Sequence, residues 1–193
     1  MLVNKDTFDP EYDPDPEEPS LPQLSNTPTV HPASCLALST PLLAHLASLL
    51  PRSPSLTISI GSGYGLLEAL LLASPYSLNI IGVEVQPSPN THLPRTHHRE
   101  VAGSRFLEPL AGEAEAWLFV YPRRVGLLHE YIKEFARGKV QAVVWIGPTA
   151  DWEDYKGAFV GWDVKVKGAD ELGGRAWEIV AVARKQTCGG VEN

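Results

Sequence analysis

The spacing of hydrophobic positions changes several times along the chain, and each change marks a different element. Leu36, Leu38, Leu42, Leu43, Leu46, Leu49 and Leu50 recur at helical spacing, which predicts one amphipathic helix or two short ones. Pro41 suits the first turn of the second piece, where the missing N–H costs nothing, and Pro51 and Pro54 end it. Leu56–Ile60 is a short β-prone run that leads straight into a five-residue segment with three glycines. Residues 66–73 then read as a buried helix, Ser74–Ser77 as a turn, and 78–84 as a second strand. Strand, helix and strand here form one parallel crossover unit of about 30 residues.

The alternation continues. Residues 98–101 predict a short strand ending at Gly103, and 116–120 a buried one. Val125 to Phe135 places Leu127, Leu128, Tyr131, Ile132 and Phe135 on one helical face, with His129 and Glu130 on the surface. Residues 142–146 form another buried strand, closed by Gly147-Pro148, and 152–159 a short helix. Two strands close the domain, at 162–166 and 177–183, with Asp170, Gly173 and Gly174 permitting a turn between them. Alternating β and α units imply a mostly parallel sheet with helices on both faces. The expected architecture is an α/β, three-layer α/β/α sandwich whose seven-stranded sheet ends in an antiparallel pair.

Composition divides the chain. Residues 1–30 are rich in Pro, Asp, Glu, Ser and Thr and predict a disordered leader, within which Phe8 and Tyr12 can dock locally. Residues 31–186 form the folded domain and 187–193 a flexible tail. Residues 1–20 hold seven acids (Asp6, Asp9, Glu11, Asp13, Asp15, Glu17 and Glu18) against Lys5, so most of the net charge of -7 lies there. The domain itself is nearly neutral and carries no basic stripe with interleaved aromatics, which argues against a nucleic-acid partner. No apolar run reaches the ~18 residues of a membrane span; the longest, Leu66 to Ala73, is broken by Glu68. The acidic, Pro-rich start resembles neither a secretory signal nor a transit peptide, so a cytoplasmic location is expected, the nucleus being the alternative. Cys35 reads as a buried small apolar residue and Cys188 as part of the tail; neither suggests a disulfide or a metal site.

The segment that carries chemistry is Ser59-Ile60-Gly61-Ser62-Gly63-Tyr64-Gly65, with Glu84 at the end of the next strand. A nucleotide-like ligand lies across the carboxyl ends of the strands, so the chain must turn tightly there and let the ligand close to the backbone. Glycine permits both. An acid at the end of the second strand can accept both ribose hydroxyl hydrogens, and Glu84 stands 19 residues after Gly65, at a suitable distance. The third glycine falls one residue early for the dinucleotide pattern G-x-G-x-x-G.

The pattern resembles the Rossmann-like class I S-adenosylmethionine-dependent methyltransferases, whose first motif is an acid followed by x-G-x-G-x-G. The resemblance spans roughly residues 33–185. It implies S-adenosylmethionine as cofactor, with Gly61, Ser62, Gly63 and Gly65 along its methionine and ribose parts and Glu84 on the ribose. Gly103, in Ala102-Gly103-Ser104, would stand where the family contacts adenine. Ser59 occupies the position of the family's first-motif acid and brings a hydrogen-bond acceptor but no charge. After the fourth strand, Tyr121-Pro122-Arg123-Arg124 keeps one proline of the Asn/Asp-Pro-Pro-aromatic motif of amino-methylating members, so that mechanism is not supported. Tyr121 is a candidate for orienting the acceptor or capping the cofactor, and Arg123, with Arg124, for holding an acidic group of the substrate.

Two further groups are weaker candidates. His92, Arg95, His97, His98 and Arg99 fit no metal spacing but can close over the cofactor or form a small anion site. Of the five tryptophans, Trp117, Trp145, Trp162 and Trp177 predict strand packing, and Trp152 a substrate-pocket wall. The expected function is methyl transfer to a small-molecule or protein acceptor. The rivals are a methyltransferase-like scaffold without catalysis and a nicotinamide-dependent oxidoreductase, the latter opposed by the glycine spacing.

Overall fold

The structure is a computed structural model that describes residues 20–186. The acidic residues 1–19 with Phe8 and Tyr12, and the tail 187–193 with Cys188, lie outside the described residues.

Eleven named elements follow in order: α1 (Thr40–Leu49), β1 (Leu56–Ile60), α2 (Leu66–Leu72), β2 (Asn79–Val85), β3 (His98–Val101), β4 (Ala116–Val120), α3 (Val125–Phe135), β5 (Ala142–Pro148), α4 (Trp152–Tyr155), β6 (Trp162–Gly168) and β7 (Glu178–Lys185). The strands form one sheet in the order β3-β2-β1-β4-β5-β7-β6. The first five are parallel, while β7 runs antiparallel to both β5 and β6. The chain moves from β1 outward to β2 and β3, then returns to β4 on the other side of β1. The carboxyl ends of β1 and β4 therefore flank the switch point, where a crevice opens.

Alternation along the strands makes two cores. Ala116 and Leu118 of β4 face the layer holding α1 and α2; Trp117 and Phe119 face the layer holding α3 and α4. In the second layer Tyr131 of α3 meets Trp117 and Phe119 edge-on, at ring-centroid distances of 6.1 and 5.9 Å. The outermost strand β6 exposes Asp163, Lys165 and Lys167, charges that discourage pairing with another chain.

The helix predicted from Leu36 begins only at Thr40. Ser39 caps it, its Oγ accepting from the Leu42 N–H at 3.2 Å and donating to the Gly173 carbonyl at 2.6 Å. Leu36 is buried at a bend instead, and Leu38 in an isolated bridge, where it exchanges backbone hydrogen bonds of 2.9 Å with Thr29. Leucines spaced for a helix also satisfy a strap pressed onto a core, which is why periodicity alone misleads here. Within the leader, residues 20–30 belong to this strap: Leu21 and Leu24 pack on the α1–α2 core, and the Ser25 carbonyl accepts from the Thr40 N–H at 2.8 Å.

Three side chains differ from expectation. Cys35 is exposed, because it sits on the strap's outer turn before the buried Leu36. Trp152 stacks on Phe159 and leans on Trp145, filling the α3–α4 core instead of a pocket. Trp177 is 56% exposed, with the Arg175 guanidinium 4.8 Å from its ring centre, because it precedes β7 and misses the sheet's inward alternation.

Candidate functional site

At the carboxyl end of β1 the chain reverses through Gly61, Gly63 and Gly65, whose φ angles are 82°, 56° and 79°. Side chains with a Cβ rarely adopt these values. The turn is held by two hydrogen bonds from the Gly61 and Ser62 N–H groups to the Val83 carbonyl, at 2.9 and 3.1 Å. Glu84 completes it: its carboxylate accepts from the Gly63 N–H at 2.7 Å and from the Val85 N–H at 2.9 Å. Each oxygen thus takes one backbone donor and keeps lone pairs for a ligand.

The loop borders a cavity of about 570 Å³, within the ordinary range for ligand sites. A Cβ placed on Gly61 or Gly63 would meet no atom of the described residues within 4 Å, so the backbone presents a bare cradle. Val85, Pro87, Pro89, Val101 and Phe106 also line the cavity, an apolar wall suited to a heteroaromatic ring. Tyr64 and Phe106 are 46% and 61% exposed at this site, large apolar surfaces that the described residues leave partly uncovered. The strap supplies Pro32, Ala33, Ser34 and Cys35. A smaller cavity of about 390 Å³ shares Cys35, Tyr121, Pro122 and Arg123 with the first and adds Asp151, Asp154 and Tyr155.

Most of the residues expected at the site converge there, in unequal roles. Gly61, Ser62, Gly63, Glu84, Tyr121, Arg123 and Arg124 line the larger cavity. Gly65 does not; it packs underneath the loop, against Asn90 and Leu93. Ser62 directs its Oγ to the space above Gly82 in β2, where the hydroxyl is buried without a hydrogen-bond partner among the described residues. Gly103 forms a turn, its carbonyl accepting from the Phe106 N–H at 2.9 Å, and leaves the wall to Val101, Ser104 and Phe106.

Tyr121 holds a left-handed backbone, φ 48°, a strained state for a residue with a bulky side chain. Its hydroxyl donates to the buried Glu178 at 2.5 Å. Burial, and then this bond, keep the phenol well above the ordinary tyrosine range, so it is no proton acceptor near neutral pH. Arg124 is a structural link, donating to both oxygens of Glu130 at 2.6 and 2.7 Å and to the Ser104 carbonyl at 2.6 Å. Arg123 makes no ion pair among the described residues. None of His92, Arg95, His97, His98 and Arg99 lines the cavity; Pro87 and Pro89 take that place. No group of acids, histidines or cysteines among the described residues could hold a metal ion.

Ser59 does not open into the cavity. It is buried, and its Oγ donates at 2.5 Å to Glu68, which α2 directs back toward β1. Glu68 is the residue that sequence reasoning missed: it is 2% exposed, lines the larger cavity, and sits in the middle of an apolar run. Burial pushes its carboxyl up to about 7, with Glu84 adding to the rise and the bonds from Ser59 and its own N–H opposing it. The native protein therefore keeps a proton that the unfolded chain releases near the ordinary 4.5, and stability falls as pH rises from about 4.5 to about 7. Glu68→Gln is expected to raise stability at pH 8 by on the order of 3 kcal/mol and to change it little at pH 5. Urea unfolding of both proteins at the two pH values checks this.

The sheet order, the glycine turn and the acid on β2 together decide the fold. The chain has the class I methyltransferase fold. A precorrin-6y C5,15-methyltransferase from Geobacter metallireducens matches over 85% of this chain and 100% of its own, with TM-score 0.60 and 14% identity. The tRNA (m1A58) methyltransferase of Aquifex aeolicus matches over 80% of this chain and 72% of its own, with TM-score 0.56 and 11% identity. A precorrin 8W decarboxylase from Methanobacterium thermoautotrophicum matches over 82% and 96%, with TM-score 0.53 and 11% identity. No family model matches the sequence, and no curated protein matches it. The same fold thus carries names for different substrates and reactions, and the chemistry of this chain has to be argued from its own site. Among the described residues no helix is long and apolar enough to cross a membrane.

Proposed function

We propose that this chain is a methyltransferase that binds S-adenosylmethionine in the larger cavity and acts in the cytoplasm on a small-molecule or protein acceptor entering by the smaller one. The observation that carries this reading is the bare cradle at Gly61 and Gly63 facing a carboxylate, Glu84, whose free lone pairs suit two ribose hydroxyls. The apolar wall around Val101 and Phe106 suits the adenine ring. When bound, S-adenosylmethionine supplies an electrophilic methyl group on a sulfonium centre. The protein's task is then to align the acceptor and exclude water. Tyr121, fixed by Glu178, and Pro122 form the wall shared by the two cavities and set the approach direction. Arg123 stands at both cavities, without an ion pair among the described residues, as a cation for an acidic group on the acceptor. Asp151 and Asp154 in the smaller cavity oppose phosphate-rich acceptors, so nucleic acid is not the expected substrate.

A second reading, a cofactor-binding module without transfer, is favoured by one observation: the phenol of Tyr121 is committed to Glu178 and offers no base. Calorimetric titration with S-adenosylmethionine, S-adenosylhomocysteine and NAD tests both readings. Micromolar binding of the two sulfur ligands and none of NAD supports the cofactor, and methyl transfer in an acceptor screen then separates enzyme from module. Absence of binding by either sulfur ligand sinks the proposal.

A further inference from the structure

The α2 run Leu66–Leu72 is apolar except for Glu68, and that carboxyl is buried at a position where an aliphatic side chain would pack without cost. Buried carboxylates are ordinarily paired with a cation or saturated by donors. Glu68 has neither. No cation lies within ion-pair distance of it among the described residues, and its donors are the Ser59 hydroxyl and its own N–H. Yet it lines the same cavity as the glycine cradle.

The two acids at this cavity are differently equipped. Glu84 already takes a backbone N–H on each oxygen, which stabilises its charge and leaves it suited to neutral donors such as hydroxyls. Glu68, with only the Ser59 hydroxyl and its own N–H against full burial, is left largely protonated and is suited to a full positive charge. We infer that Glu68, aimed by Ser59, is the counter-ion for the α-ammonium group of the amino-acid end of the ligand. The inference rests on the methyltransferase reading of the same cavity. It divides the ligand between two carboxylates: the ribose on Glu84 of β2 and the ammonium on Glu68 of α2. Glu68 thereby restores the acidic charge that Ser59 lacks at its own position, delivered from the next helix turn through a side-chain hydrogen bond.

A cation at this place also moves a proton. The other titratable or charged groups lining the cavity are Glu84 from β2, Cys35 from the strap, Tyr64 from the glycine loop, Tyr121, Arg123 and Arg124 beyond β4, and Tyr131 from α3. Of these Glu84 acts on Glu68 directly, and it favours the protonated form. An ammonium group would reverse that and ionise the carboxyl. Because the free carboxyl titrates near 7, binding at pH 7 would release about half a proton.

The test compares S-adenosylhomocysteine with 5′-methylthioadenosine, which keeps the nucleoside and thioether but lacks the amino-acid end. Glu68→Gln should weaken S-adenosylhomocysteine by at least about tenfold and leave 5′-methylthioadenosine within about twofold. Calorimetry of the unaltered protein in buffers of different ionisation enthalpy should show the proton release with the first ligand and not with the second. Equal affinity of Glu68→Gln and the unaltered protein for S-adenosylhomocysteine, or equal losses for both ligands, overturns the role of Glu68 while the proposed function stands. Should the variant fail to fold, absence of proton release from the unaltered protein overturns it instead. If the unaltered protein binds neither ligand, the proposed function falls and this inference with it.

Discussion

Glu84→Ala is expected to weaken S-adenosylhomocysteine and 5′-methylthioadenosine alike, each by at least about tenfold, because it removes two things at once. The first is the acceptor for the ribose hydroxyls. The second is the anchor of the glycine loop, since the Gly63 and Val85 N–H groups both lose their carboxylate partner. An unanchored loop must be ordered when the ligand binds, and that ordering reduces affinity. Glu84→Gln separates the two effects, because its side-chain oxygen can still accept one backbone N–H while the amide cannot repeat the second bond. It should lose binding with a smaller change in thermal stability than Glu84→Ala. Calorimetry and thermal unfolding on the same samples give both numbers. Undiminished binding by Glu84→Ala would remove the nucleoside from this end of the cavity.

The second large effect is on stability. Gly65→Ala should destabilise the domain by about 2–4 kcal/mol. Its φ of 79° disfavours any Cβ, and the added atom would lie 2.5 Å from Asn90 Oδ1 and 2.9 Å from Leu93 Cγ. Asn90 cannot simply turn away, because its Oδ1 accepts from the Leu93 N–H at 3.0 Å and its amide donates to the Leu93 carbonyl at 2.9 Å. Gly63→Ala is the control. Its φ is 56°, but a Cβ there meets nothing within 4 Å among the described residues. It should cost about 1 kcal/mol in stability, yet occupy the space the ligand needs. Urea unfolding and ligand titration of the two variants should therefore give opposite rankings: Gly65→Ala worse in stability, Gly63→Ala worse in binding. The same ranking in both measurements would mean that the two glycines serve one purpose.

The two glycines and the acid show what residues near one another in the chain reveal. Glycines after a β-prone run, an acid closing the next strand and alternating β and α patterns are local signals, because they follow from the period of burial and the limits on φ. The seven strands, α3 and the antiparallel end were legible for that reason. Ser59 was legible as a missing charge. Glu68 was legible only as a break in an apolar run, since nothing local says that the next helix turn returns it to β1.

Sequence by itself thus determined the order of the elements, the parallel sheet and the place of the glycine turn, since each depends on residues near one another in the chain. Tertiary structure alone decided how long-range partners share the site. It closed Tyr121 onto Glu178, bound Arg124 to the turn after β3, laid the strap of residues 20–38 along the core, and brought Glu68 to Ser59 at the cavity. Those outcomes depend on which side chains fill or leave space across the sheet, and the spacing of residues along a chain does not record that.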